Sequence, residues 1–191
     1  MAGIDEVGRG AWAGPVVAGA VILPPRCRLN GVTDSKLLTL LRRLEFDNLI
    51  RRRAIALGLG WVDAGELDEH GLTWAVRESG LRALADMRHP FDAVLLDGNH
   101  NYLVDLPPSQ AIIHGDRLNL SIAAASIIAK VARDQYMSEQ HELYPACNFT
   151  ANKGYGTRAH QAALTRYGLT PLHRLSYKPV QLAASHVRRV S

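Results

Sequence analysis

"MAGIDEVGRGAWAGPVVAGAVIL" (residues 1–23) holds two apolar stretches, 2–6 and 14–23, on either side of a glycine-rich turn at 8–14. Two short apolar runs around such a turn read as a β-hairpin. Within the second run, "VVAGAVIL" (16–23) has the length of a buried strand. Asp5 and Glu6 close the first run. One reading of these adjacent acids is a strand that ends in a solvated turn. The other is a metal site whose neighbouring backbone must approach a ligand closely. The first ten residues leave both open.

Downstream, "TDSKLLTLLRRLEFDNLIRRR" (33–53) has apolar residues at 37, 38, 41, 44, 46, 49 and 50, a helical period with Asp34 or Ser35 as the N-cap. "AIALGLGWV" (54–62) reads as a third strand weakened by two glycines, and "LDEHGLTWAVRESGLRALADM" (67–87) as a helix ending before His89 and Pro90. "FDAVLLDG" (91–98) is a buried strand stopped at Asp97 and Gly98; "QAIIHGD" (110–116) repeats that design more briefly. A long Ala-rich helix follows over 121–143, with more helical pattern after 157. Strands alternating with helices predict an α/β protein with a largely parallel sheet covered on both faces.

At 191 residues the chain suits one domain with a substantial core. No apolar run reaches the roughly 18 residues of a membrane span, and acids rather than a basic segment near Met1 argue against a signal peptide. Cys27 and Cys147 are too few and too isolated for a disulfide framework or a zinc site. A cytoplasmic protein is expected. Lys and Arg number 22 against 18 Asp and Glu, a net charge of +4 that permits an anionic partner. The arginines at 42, 43, 51, 52 and 53 and the basic tail "HVRRVS" have the look of ordinary solvated surfaces.

Three predicted strands thus end in carboxylates: Asp5 with Glu6, Asp97, and Asp116. Corresponding strand ends collect along one sheet edge, where ligands sit in open α/β sheets. Carboxylates crowded there repel unless a cation neutralises them. An oxygen-only donor set points to Mg²⁺ or Mn²⁺ rather than Zn²⁺, and two such ions about 4 Å apart can activate water and stabilise the leaving oxygen of a phosphodiester. Each acid alone reads more simply as a turn or a cap; their joint placement makes the metal reading its equal. Neighbouring strand residues point to opposite faces. Either the strand breaks by Glu6, or Glu6 acts through its backbone or indirectly.

"GIDEVGRGAWAGPVVAGAVIL", "DSK" (34–36), "LLDGN" (95–99), "HGD" (114–116) with "SIAAASIIAKVARD" (121–134), and "KGYGT" (153–157) with His160 together resemble the ribonuclease HII family, the type 2 ribonucleases H of bacteria. The matches run in order from residue 2 to about 180. The resemblance implies the ribonuclease H-like fold: a mixed five-stranded sheet flanked by helices, with a catalytic domain over 1–150 and a small helical C-terminal extension over 151–191. It implies cleavage of the RNA strand of RNA–DNA hybrids and nicking of DNA duplexes 5′ of embedded ribonucleotides, leaving 3′-hydroxyl and 5′-phosphate ends. It makes Asp5, Glu6, Asp97 and Asp116 the catalytic metal-binding acids. Gly8, Arg9 and Gly10 become the turn whose backbone reads the 2′-hydroxyl, and Tyr155 the tyrosine at the RNA–DNA junction.

Lys36 and Lys153 are expected to meet phosphates, in a monomer whose partner is nucleic acid and not membrane. Departures from the family pattern are few. His114 stands where lysine is usual, and bulky Trp12 follows the reading turn. Asp134 is expected to tie the long helix to the sheet through Arg133. His160 is either a phosphate-orienting residue or a surface histidine with a local hydrogen bond, and Trp61, Trp74 and Phe91 read as core. The competing functions are a junction resolvase of the same fold, which lacks a ribose reader, and a non-catalytic hybrid-binding protein, which would tolerate loss of its acids.

Overall fold

The computed structural model describes residues 1–33, 35, 38–105 and 108–187, so Asp34 and Lys36 lie outside the described residues, as does the end of the basic tail from residue 188. The opening hairpin is present: β1 (Ala2–Val7) pairs antiparallel with β2 (Val16–Ile22), with Asp5 opposite Gly19 and Glu6 opposite Ala18. β2 is buried along its whole length. It pairs antiparallel on its other side with β3 (Ala56–Val62). β4 (Val94–Asp97) and β5 (Ser109–Ile112) continue the sheet parallel to β1, giving the order β3-β2-β1-β4-β5. Half of the pairings are antiparallel, so the sheet is mixed and not largely parallel. Helical punctuation along the sequence reports crossovers, and the first three strands are joined so that β2 and β3 turn back on their neighbours.

Helices cover both faces. α1 (Leu40–Arg53) starts later than its apolar period predicts, because Thr39 is the residue whose side chain accepts the Arg42 N–H. The predicted helix over 67–87 is two helices, α2 (Ala64–His70) and α3 (Leu72–Asp86), broken at Gly71; Asp63 and Glu66 form a capping box at the start of α2. α3 packs on one face of the sheet with Ile4, Ala18, Ala20, Val94 and Leu96. The glycines at 58 and 60 that weaken β3 as a sequence are what admit it: a Cβ on either would run into the α3 backbone. On the other face lie α1, through Phe46 and Ile50, and the long helix α5 (Leu120–Leu143), through Ala124 and Ile128, packed with Val21 and Leu29. Trp61 and Phe91 are half-buried against the core, as is Trp74, whose ring lies tilted against that of His70 at 4.3 Å.

β5 leads through His114, in the left-handed region, into the single-turn helix α4 (Gly115–Leu118). Beyond α5 come a 3₁₀ turn (Pro145–Cys147), α6 (Phe149–Asn152), α7 (Arg158–Tyr167) and α8 (Lys178–Val187). Two isolated bridges, Ala11 with Tyr155 and Ala13 with His173, lay these later segments along the loop that joins β1 to β2. Among the described residues no helix is long and apolar enough to cross a membrane.

Candidate active site

β1 and β4 run parallel with Ile4 beside Leu96, so Asp5 and Asp97 follow at the same level of the sheet. Alternation sends Ile4 and Leu96 to the α3 face and both acids to the opposite one. Asp116 joins them from a different place than its sequence pattern predicts. β5 has ended four residues earlier, at Ile112, and Asp116 sits in the first turn of α4, where its N–H donates to Asp97 Oδ1 at 3.3 Å. Carboxylate oxygens of Asp5, Asp97 and Asp116 lie within 4.8 Å of one another.

Burial first, then the charges of Glu6 and Asp97, hold the Asp5 carboxyl well above the usual carboxylate range, while a Ser126 hydrogen bond opposes the shift. Asp5 thus has acids and no cation among the charges that shift it. The donors of the three acids are all oxygen, which fits a hard divalent cation and not a thiolate or imidazole metal.

Glu6 is not among the three. β1 continues through it to Val7, so the strand does not break and the Glu6 side chain takes the other face. There Oε1 pairs with Arg9 at 3.1 Å, and Oε2 accepts the Tyr102 hydroxyl at 3.1 Å. Burial, then the Glu6 and Asp5 charges, raise the Tyr102 pKa well above its ordinary value, so the ring stays a donor. Glu6 still lines the cleft of about 310 Å³ that Asp5, Asp97, Gly8, Arg9, Gly10 and Tyr155 also line.

The two turn glycines differ. Gly8 has φ +94°, and a Cβ there would meet Arg133 Nε and Pro15 O, so its requirement is internal. Gly10 has nothing within 4 Å of a built Cβ; the protein itself leaves that approach open. Behind the turn stand two buried arginines with carbonyl partners. Arg133 donates to the carbonyls of Ala13, Pro15 and Lys153, at 2.9 to 3.1 Å. Arg174 donates to Gly14 O and Arg9 O, and Tyr177 also donates to Arg9 O. The Arg133 and Lys130 cations lie 5.4 and 5.8 Å from the Tyr155 ring centre.

Asp134 is therefore not held by Arg133. It takes Lys130 at 2.7 Å and Arg43 at 3.2 Å, and Arg43 also binds the carbonyls of Ser35 and Leu38. Lys153 donates from Nζ to Ser138 Oγ. His160 is not a surface residue: it is fully buried, which removes it from direct contact with a phosphate. Trp12 lies over Gly156, where a Cβ would strike its ring.

Tyr102, Arg174 and His173 lie in no motif singled out in the sequence, and Ser126 lies inside the 121–134 stretch without having been picked out from it. Arg133 left a trace: it continues the 122–126–129–133–137 stripe of α5, whose other members are buried.

A family model for ribonuclease HII matches residues 2–180. The ribonuclease HII of Enterococcus faecalis is 46% identical over 182 residues, covering 95% of this chain and 70% of the relative. That of Bacillus subtilis is 47% identical over the same length and coverage. The crystal structure of the ribonuclease H2 from Pyrococcus horikoshii superposes with a TM-score of 0.83 at 24% identity, covering 98% of both chains, which shows the shared fold. Fold, acidic group and relatives agree, and the chain belongs to the ribonuclease HII family of metal-dependent ribonuclease H endonucleases, which act on RNA–DNA hybrids.

Proposed function

We propose that the chain cleaves the RNA strand of hybrids and also nicks DNA duplexes on the 5′ side of embedded ribonucleotides, leaving 3′-hydroxyl and 5′-phosphate ends. The observation that carries this reading is the cleft in which Asp5 and Asp97 face Gly8, Arg9, Gly10 and Tyr155. Acids for hydrolysis and backbone for sugar reading share one space. Asp5, Asp97 and Asp116 would hold Mg²⁺ or Mn²⁺, and Glu6, whose side chain leaves by the other face of the sheet but still lines the cleft, would act on the metal indirectly. Bound there, a divalent cation supplies a polarised water and neutralises charge on the phosphodiester. The protein's own groups do the rest. Tyr102 and Arg9 orient the Glu6 carboxylate. The exposed backbone at Gly10 is free to bond a 2′-hydroxyl, the group that separates ribose from deoxyribose. Tyr155, braced by Arg133 and Lys130, would pack on the next sugar. Lys153, and Lys36 by its sequence motif, would meet phosphates and set register without reading bases.

We take residues 1–150 as the catalytic domain and 151–191 as a helical extension, and the protein as a cytoplasmic monomer; free Cys27 and Cys147 are in keeping with a reducing compartment. The test is a duplex carrying one ribonucleotide beside an all-DNA control, each with and without divalent metal, with product ends mapped. Metal-dependent nicking 5′ of the ribonucleotide is expected. Cleavage of the control, or activity on continuous hybrids alone, would refute the reading.

A further inference from the structure

Two buried histidines behind Tyr155 are unaccounted for by this chemistry. His160 stands in the first turn of α7 and His173 in the segment bridged to Ala13. Their Nε2 atoms are 3.1 Å apart. A contact of that length needs one donor and one acceptor, and the outer nitrogens decide which is which. His160 Nδ1 lies 3.0 Å from the main-chain oxygen of Tyr155. A carbonyl only accepts, so the His160 hydrogen is on Nδ1 and its Nε2 is bare. At the other end, the main-chain N–H of Thr170 donates to His173 Nδ1 at 2.9 Å; the Thr170 hydroxyl at 3.0 Å can donate to the same nitrogen, and the Thr170 carbonyl, which only accepts, is farther at 3.3 Å. His173 therefore carries its hydrogen on Nε2 and gives it to His160.

Both ends agree on one direction: Thr170 N–H to His173, His173 to His160, His160 to Tyr155. Each ring must be neutral, because a second proton on either would set N–H against N–H. Their apolar surroundings suit this. Phe149 lies edge-on to His160 at 5.5 Å and tilted to His173 at 5.9 Å, and Trp12 lies 6.0 Å from His160. Burial lowers the His160 pKa, and burial with the neighbouring ring lowers that of His173 to about 4.

The chain ends on the residue whose ring lines the cleft. Tyr155 is bridged to Ala11 and His173 to Ala13, so the histidine pair ties together the two segments that flank the loop just past the Gly8-Arg9-Gly10 turn. We propose that His160 is a positioning residue, its tautomer set by His173, whose Nδ1–H holds the Tyr155 main chain against residues 11–13 and so sets the ring relative to the turn. This rests on the reading that Tyr155 and the turn recognise adjacent sugars.

The test compares kcat/KM on a duplex with a single ribonucleotide and on a continuous RNA–DNA hybrid. The ratio of the two does not depend on how much enzyme is folded. In His160→Asn the amide falls where Nδ1–H stood and still reaches Tyr155 O. In His160→Gln it falls where Nε2 stood, keeping His173 and losing Tyr155. The Gln variant should lower the single-ribonucleotide preference by about tenfold, in the direction of Tyr155→Ala, while the Asn variant stays within about threefold of wild type, a difference of one hydrogen bond. Nitrogen-15 imidazole spectra of the wild-type protein should show His160 as the Nδ1–H tautomer and His173 as Nε2–H.

Equal effects of Asn and Gln alongside a clear Tyr155→Ala effect would overturn the positioning role alone. An unchanged ratio in Tyr155→Ala would overturn the sugar reading beneath it, and the proposal with it. The opposite tautomers in the wild-type protein would remove the pair itself.

Discussion

When the pH falls from about 7.5 to about 5, an unfolded histidine takes up a proton near 6.5, whereas burial and the adjacent His160 hold the folded His173 down to about 4. Between those values the unfolded chain binds more protons at this position than the folded one, so stability rises with pH across the window and is lost as pH falls through it. Above about 6.5 neither state is charged there and the full stability remains. The gap between the two values corresponds to a loss of about 3 kcal/mol once complete, and to about 2 kcal/mol by about pH 5. The lowered pKa of His160 acts in the same direction. Asp5 acts in the opposite one. Its carboxyl is raised in the folded state, so the fold takes up that proton first and acid favours it there.

The comparison that isolates the ring is with His173→Asn, which does not titrate and offers an oxygen to the Thr170 N–H where Nδ1 stood. Urea unfolding followed by tryptophan fluorescence at both pH values gives the free energies for each chain. The wild type should lose about 2 kcal/mol more than the variant on acidification, with unchanged dependence on urea. Equal losses in the two chains would refute the neutral, buried assignment of His173.

Gly8→Ala should destabilise the fold by about 1–3 kcal/mol, because the residue has φ +94° and its Cβ would meet Arg133 and Pro15; thermal melts check it. Gly10→Ala should melt like wild type and yet lose discrimination between ribose and deoxyribose, measured by nicking of matched duplexes; a lowered melting temperature would place its role in the fold. Binding to a hybrid should weaken as salt rises, with a log–log slope of roughly −0.9 per phosphate neutralised. Lys153→Gln should flatten that slope by about one contact without changing which ribose is chosen, and an unchanged slope would take Lys153 out of the interface.

The hairpin, a strand within 91–98 (observed only over Val94–Asp97) and the long helix were legible in the sequence because each carries a run of apolar residues. Asp5 and Asp97 were legible as partners because parallel neighbours put matched strand ends together. Asp116 was found for the wrong local reason: the apolar letters of "QAIIHGD" continue past Ile112, where the backbone has already left the sheet for the left-handed His114 and α4. The alternation rule exposed the conflict at Glu6, but only tertiary structure supplies its outcome, since Tyr102 arrives from 96 residues away. Arg174, and the carbonyl partners of Arg133, stayed hidden for a related reason. A guanidinium buried against carbonyls looks, in sequence, like any surface arginine beside a helix. The β3 glycines were misread as weakness, because close approach by α3 leaves no mark on β3 itself.

In the proposed function the acidic group holds the metal that drives cleavage, while affinity for the duplex is made elsewhere. Single-turnover cleavage and equilibrium binding of a one-ribonucleotide duplex, by wild type and Asp97→Asn in Mg²⁺, test it in one experiment. The variant keeps the side-chain shape and still offers an oxygen to the Asp116 N–H, but it removes one negative charge from the group. Cleavage should collapse while binding persists or tightens, as expected when affinity rests on phosphate contacts outside the group. Cleavage by Asp97→Asn at near the wild-type rate in Mg²⁺ would contradict the claim.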